Sequence, residues 1–451
     1  TYGNQSYFQN IKKLLPGHFV NINPTEENFI KYWTTPFYNK KIDHGEKYYI
    51  EKIDELLSAA VSKRLASDVP LGALLSGGLD SSIIVALMAK DDNKINSYSI
   101  GFNHEGYDES KYAKLVADHC STEHLHLNLS KENYIDNLSS MIKIKDAPLS
   151  IPHEQALYQI CKELKNYTTV IISGEGADEL FGGYGRVQRS PFDYKKIDLI
   201  KNYLPNKTHS VFAKIMGLSK SDLKFNSNID HFFSVYNWMP FEEKWNIFSD
   251  NMLESINYDD ELINFWKQDF MHTDSGNVYD QVLYMFQKNH LICLLDRLDT
   301  MSMASGVEAR VPFVDHELVE FVSSIPIKYK LKWRSPVHKF QSLFINSSII
   351  SENKDISKYL LREYGKRMLP KIITKRKKKG FPVPLDEWLK NGMIENAKEI
   401  LLDDKTFSRD IFKKQKLEYL LNNKQNLNYD FWGKKIWMLM NTELWFREFI
   451  D

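Results

Sequence analysis

The chain has little cysteine: Cys120, Cys161 and Cys293 are its three cysteines in 451 residues. They lie far apart and form no CxxC pair, so neither a disulfide framework nor a cysteine zinc site is expected, and a reducing cytoplasm is the natural compartment. Neither charge is in excess, with 59 Lys+Arg against 59 Asp+Glu. That removes the bulk-charge argument for a nucleic-acid partner. No uninterrupted apolar stretch nears the roughly 20 residues of a membrane span, and no signal-peptide pattern is present. There is no internal repeat and no low-complexity tract. What is there is a hydrophobic content of 43% with 13% aromatic residues, which fits a globular chain able to bury the core of two or three domains.

The pattern along the chain is alternating. Residues 46–67 have helical spacing at Ile50, Ile53, Leu57 and Val61. A strand over 71–75, a glycine turn and a helix from Ser82 to Lys90 follow. Strands over 97–102, 124–129 and 168–173 alternate with helices over 109–120 and 153–165. Such alternation predicts an α/β fold with a doubly wound parallel sheet. Residues 1–24 read as short strands around a Pro16-Gly17 turn. From about 191 the pattern becomes largely helical, including 291–325 and 357–450. Cys293, in HLICLLD, reads as a core residue. The run KRKKKG at 375–380 reads equally well as a solvated surface stretch or a functional one. RLD at 297–299 reads as a buried polar link behind the site, with partners unassigned.

LLSGGLDSS at 74–82 sets a glycine pair between an apolar run and two serines. A strand ending in Ser-Gly-Gly and leading into a helix gathers backbone N–H groups and a favourable dipole around an anion. Ser76, Ser81 and Ser82 add hydroxyl donors. Asp80 would repel phosphate, and it makes sense as a magnesium ligand. The lysine of the common GxxxxGK[ST] loop is missing, which argues against ordinary γ-phosphoryl transfer. The bland alternative is a glycine turn with a serine cap. In VIISGEGADELFGGYG at 170–185, three carboxylates, Glu175, Asp178 and Glu179, follow a strand end within five residues. They repel one another unless cations compensate, and ligands of parallel sheets bind at such strand ends. Here the alternative is an acidic first turn complementing a helix dipole.

SGGLDSS resembles the PP-loop of ATP pyrophosphatases. Together with ISGEGADELFGGY, VEARVPFVDHEL (307–318) and KKGFPVPLDEWL (378–389), the chain resembles the synthetase domain of glutamine-hydrolysing asparagine synthetases. The resemblance implies a PP-loop fold with a largely helical C-terminal part, and ATP cleaved to AMP and pyrophosphate with Mg2+. Ser76, Gly77, Gly78, Asp80, Ser81 and Ser82 would bind pyrophosphate and its magnesium, and Asp178 would be a second magnesium ligand. Leu74, Leu75, Ile100, Ser173 and Gly174 would line the adenosine site. Glu175 would act as general base, and Lys358, in SKYLLRE, would stabilise the phosphoryl transition state. The link over 333–356 is longer than the family's usual one, which leaves Lys332 and Lys339 as rivals.

By the same resemblance, residues 1–40 are the end of a glutaminase domain plus a linker, and 41–451 are the synthetase domain with its α/β core at about 46–190. The glutaminase domain is expected to be missing from this chain, which would then use free ammonia. A homodimer is possible. The segment 146–158 lacks the Thr-Thr-x-Arg pattern of some asparagine synthetases, and His153 and Glu154 could line the acceptor pocket there. Three readings follow. The acceptor is aspartate; or it is another carboxylate, such as a surface-polysaccharide sugar acid or one closing an amide ring; or the chain is a non-catalytic binding remnant. The crowded carboxylates argue against the third.

Overall fold

Short apolar runs build the centre of the protein. In the computed structural model, which describes residues 2–38, 41–91, 95–102, 108–129, 131–273, 277–378, 380, 383–422 and 431–451, five strands form one all-parallel sheet. The strands of a first hairpin are β1 (His18–Ile22) and β2 (Glu27–Lys31). The sheet strands are β3 (Leu71–Leu74), β4 (Asn96–Phe102), β5 (Glu123–Leu129), β6 (Val170–Ile172) and β7 (Glu308–Arg310), in the order β5-β4-β3-β6-β7.

Helices cover both faces. On one lie α1 (Glu46–Leu65) and α2 (Leu79–Asp91). Tyr49, Ile53, Leu57 and Val61 of α1 are at most 1% exposed, at the three-to-four spacing that keeps them on one stripe. Burial of each such side chain contributes roughly 1.5–3 kcal/mol. On the other face the helix Glu154–Leu164 brings Ile160, Cys161 and Leu164 against Tyr98, Ile171 and Val307. A separate core around Trp388, Leu417, Trp437 and Met440 holds the C-terminal helices together. The fold is therefore a doubly wound α/β sheet with a helical C-terminal part. Among the described residues, no helix is long and apolar enough to cross a membrane.

The differences from the sequence reading have local causes. The helix expected from Ser82 starts at Leu79, because Gly77 completes the turn in the left-handed region, so Asp80 falls in the first helical turn. Strand β7 lies inside a segment read as helical; three residues are too few to show a period of two. The first hairpin turns at Asn23–Glu26, not at Pro16-Gly17. Asn23 Oδ1 accepts from the Thr25 N–H and hydroxyl, both at 3.0 Å, a side-chain turn that needs no proline. Cys293 is exposed, not core. It lies on the solvent side of its helix, Leu291–Met303, whose buried stripe is Leu291, Leu294 and Leu298, at the wall of a cavity with Tyr7 and Lys145.

Candidate active site

The strand ends β3 and β6 open into one cavity of about 470 Å³. After β3 the chain turns through Ser76, Gly77 and Gly78 into α2. Gly77 has φ +70°, and a Cβ there would lie 2.5 Å from the Ala113 nitrogen, so no other residue fits without a shift. The Ser76 hydroxyl accepts from the Gly78 N–H at 3.3 Å and lies 3.1 Å from Ser81 Oγ. The Ser82 hydroxyl donates to the Gly78 carbonyl at 2.6 Å. After β6 the Ser173 N–H donates to the Arg310 carbonyl at 2.8 Å. Gly174 then packs on the start of α2, where a Cβ would meet the Ser81 nitrogen at 2.9 Å. The two turns are thus locked together.

The carboxylates after β6 part company, each meeting a different partner. Glu175 pairs with Arg297, whose guanidinium also meets His153. Glu179 turns into the core and accepts from the Tyr184 hydroxyl at 2.6 Å. Burial, and then the charge of Asp178, push Glu179 up to about 7. Asp178 joins a row of alternating charge: Asp80 Oδ2 and Asp178 Oδ1 each lie 2.6 Å from Lys358 Nζ, and Asp178 also pairs with Lys378. Burial pushes the Asp80 carboxyl up, against the pull of Lys358. For Asp178 burial works the same way, but Lys358 and Lys378 outweigh it and hold it well below the usual carboxylate range. Lys358 is 3% exposed; burial opposes its charge, and Asp178 and Asp80 overcome that and raise it.

Lys358 reaches this position from the left-handed region, at φ +50° just before the helix Tyr359–Gly365. For a residue with a Cβ that costs roughly 1–2 kcal/mol. Its rivals are elsewhere: Lys332 pairs with Glu46 at 3.7 Å, and Lys339 is exposed. A magnesium ion fits the carboxylates. Asp80 Oδ1 is buried and accepts no hydrogen bond, and two carboxylates on one point are hard oxygen donors. Among the described residues no group of three His, Cys, Asp or Glu could hold a metal, so the remaining ligands would be phosphate and water oxygens.

Twelve of the residues singled out in the sequence line the cavity: Leu74, Leu75, Ser76, Gly78, Asp80, Ser81, Ile100, Ser173, Gly174, Glu175, Asp178 and Lys358. Gly77 and Ser82 do not. Gly77 lies under Tyr112, and Ser82 is fully buried, holding the turn. Of the acceptor candidates, His153 lines the cavity, whereas Glu154 is buried away from it and pairs with Lys145 at 2.7 Å. Lys378 and Arg376 come from the basic run, which borders the cavity. Arg376 donates to the Gly77 carbonyl at 3.0 Å and pairs with Glu109, while Lys375 and Lys377 are exposed. Lys379, Phe381 and Pro382 of the neighbouring motif lie outside the described residues. Arg297 is the partner that the sequence did not supply for Glu175.

A parallel sheet that carries a glycine turn and an aspartate–lysine row at its strand ends defines a nucleotide site of the PP-loop class. The family model "Asparagine synthase" matches residues 52–447, and the chain belongs to that family. It is 27% identical over 448 residues to "Asparagine synthetase [glutamine-hydrolyzing] 1" of Bacillus subtilis, covering 96% of this chain and 65% of that protein. It is 39% identical over 155 residues to "Putative asparagine synthetase [glutamine-hydrolyzing] 2" of Methanocaldococcus jannaschii, 34% of this chain and 30% of that one. It is also 22% identical over 439 residues to "Amidase chry2" of Gibberella zeae, 88% of this chain and 62% of that one. The chain thus spans less than two thirds of the length of these relatives.

Proposed function

We propose that the chain is an ATP-dependent carbon–nitrogen ligase that amidates a carboxylate through an acyl-adenylate. The observation that carries this reading is the row Asp80–Lys358–Asp178–Lys378, centred on the buried Lys358, beside the glycine turn. In the first step a carboxylate oxygen of the acceptor bonds to the α-phosphorus of ATP and pyrophosphate leaves. Ser76, Ser81 and the N–H groups of the turn cradle the leaving group. Lys358 and Lys378 balance the charge on its oxygens and on the phosphoryl group in transfer. Asp80 and Asp178 would hold magnesium, which when bound supplies further neutralisation of the phosphates. Leu74, Leu75, Ile100, Ser173 and Gly174 would flank the adenosine.

In the second step ammonia bonds to the acyl carbon and AMP leaves. Glu175 takes the proton that the nitrogen sheds, held in place by Arg297. By resemblance, residues 1–40 would be the close of a glutaminase domain and its linker, with glutamine as the source of the ammonia. The relatives' names support L-aspartate as acceptor. A second reading, another carboxylate, is favoured by the segment 146–158, which lacks the Thr-Thr-x-Arg pattern. The test is the nucleotide product: AMP and pyrophosphate are expected from ATP, ammonia and an acceptor acid. ADP in their place would overturn the mechanism.

A further inference from the structure

Acidic residues are missing from two stretches that meet on the surface. None occurs over 199–221 or over 321–351, although the chain as a whole carries as many acids as bases. The first stretch holds the helix His209–Ile215 and the second the helix Pro336–Gln341. They adjoin at Gly217, where a Cβ would lie 2.5 Å from Ile345 Cα. The buried Lys196 ties the contact, donating to the Ile345 carbonyl at 2.6 Å and to the Met216 carbonyl at 3.5 Å. The acids that bound the two stretches are all engaged. Asp198 accepts from Asn202 at 2.8 Å, Asp222 from the Ser219 N–H at 2.7 Å and Glu320 from Trp33 at 2.9 Å, and Glu352 pairs with Arg362 at 3.0 Å.

Each helix turns large apolar side chains outward. On the second, Val337 and Phe340 are 62% and 63% exposed, and Phe344, one turn on, meets Phe340 edge-on at 5.7 Å. Their three- and four-residue spacing puts them on one stripe. On the first, Val211 and Ile215 share an exposed stripe with Phe212 beside it, while Ala213 on the opposite side packs into the core of Ile197 and Ile200. Lys207, Lys214, Lys220 and Lys339 stand around these side chains, all exposed. Among the described residues none of the four pairs with a carboxylate, whereas exposed lysines elsewhere, such as Lys63 and Lys328, do. Cation and ring thus alternate, Lys214 after Phe212 and Lys339 before Phe340. The core of a protein–protein interface is depleted in lysine. A helix lying in a lipid interface carries lysine beside phenylalanine, because the ring dips among acyl chains while the lysine stem reaches back to a negative headgroup.

We propose that the face built by these two helices docks on an anionic phospholipid surface, lying on it and not crossing it. The second stretch ends at Ser351, which packs on Gly185 beside Arg186 of the cavity wall, so the docking face is continuous with the segment that backs the site. The experiment sediments the chain with vesicles of phosphatidylcholine and phosphatidylglycerol, about two to one, and with vesicles of phosphatidylcholine alone. Binding is expected to the mixed vesicles, falling as salt rises, with each lysine at the surface contributing roughly fivefold. Lys207→Glu combined with Lys214→Glu should weaken it about tenfold or more. Phe340→Ser combined with Phe344→Ser should weaken it by about as much. Both variants should keep the parent's melting temperature, since the four side chains are exposed. No sedimentation with the mixed vesicles overturns the proposal, and so does equal sedimentation with phosphatidylcholine alone. A dimer in sedimentation velocity that the double phenylalanine variant abolishes would give the face to a second copy of the chain and overturn it too.

Discussion

At the scale of single residues, the site is a matter of which charge stands beside which. Lys358 pairs with both Asp80 and Asp178, and in Lys358→Met Asp178 keeps Lys378 while Asp80 loses its cation. The stability loss is expected at about 3 kcal/mol, from the uncompensated Asp80 carboxylate, and AMP formation should fall about 10²–10³-fold. Urea melts and a pyrophosphate-release assay read the two effects separately. Lys332→Ala and Lys339→Ala should match the parent in both. Glu175 acts only after the adenylate has formed, so Glu175→Gln should keep acceptor-dependent exchange of pyrophosphate into ATP and lose amide formation about 10²–10⁴-fold. Equal loss of both half-reactions would remove Glu175 from the role of base.

At the scale of elements, two turns and one helix start set the distances. Gly183 shows how tightly: a Cβ there would lie 1.6 Å from Asp178 Oδ1 and 2.3 Å from Lys358 Cε. Gly183→Ala should therefore push that pair apart and raise KM for Mg-ATP by about tenfold, the order of one charge-assisted hydrogen bond. Gly182→Ala has open space, with its nearest neighbour at 4.0 Å. Its cost should be only the roughly 1–2 kcal/mol of its φ of +73°, with KM unchanged. Much of this architecture was legible in the sequence, because it is carried by periodicity and glycine placement: α1 by its apolar stripe, the sheet by its alternation, the turn and the start of α2 by SGG. What was not legible depends on contacts distant in sequence. Arg297 meets Glu175 across 122 positions, and no local pattern names that partner. Lys378 was hidden in a run where its exposed neighbours look the same. Cys293 read as core because free cysteines are usually buried, while only one side of that helix is covered.

At the scale of the whole molecule, two partly buried histidines make stability depend on pH. Burial, with Arg297 and Lys378 nearby, holds His290 down to about 4, and burial with Arg297 holds His153 well below its ordinary value. In the unfolded chain both titrate near 6.5. The unfolded state thus binds more protons between those values, and stability falls as pH drops through that window. The contribution of His290 is fully present above about 6.5 and lost on approach to about 4. His290→Gln should melt with a shallower decline over that range than the parent in thermal scans from pH 8 to 4; an identical slope would show that His290 is not a buried neutral base. The charge row has a consequence of the same reach. Its lysines and aspartates neutralise one another until phosphate draws the lysines away and uncovers the aspartates. Nucleotide and divalent cation are therefore coupled ligands, and linkage requires each to tighten the other by the same factor. Titrating ATP at rising magnesium, and magnesium at rising ATP analogue, should return one coupling constant from either direction.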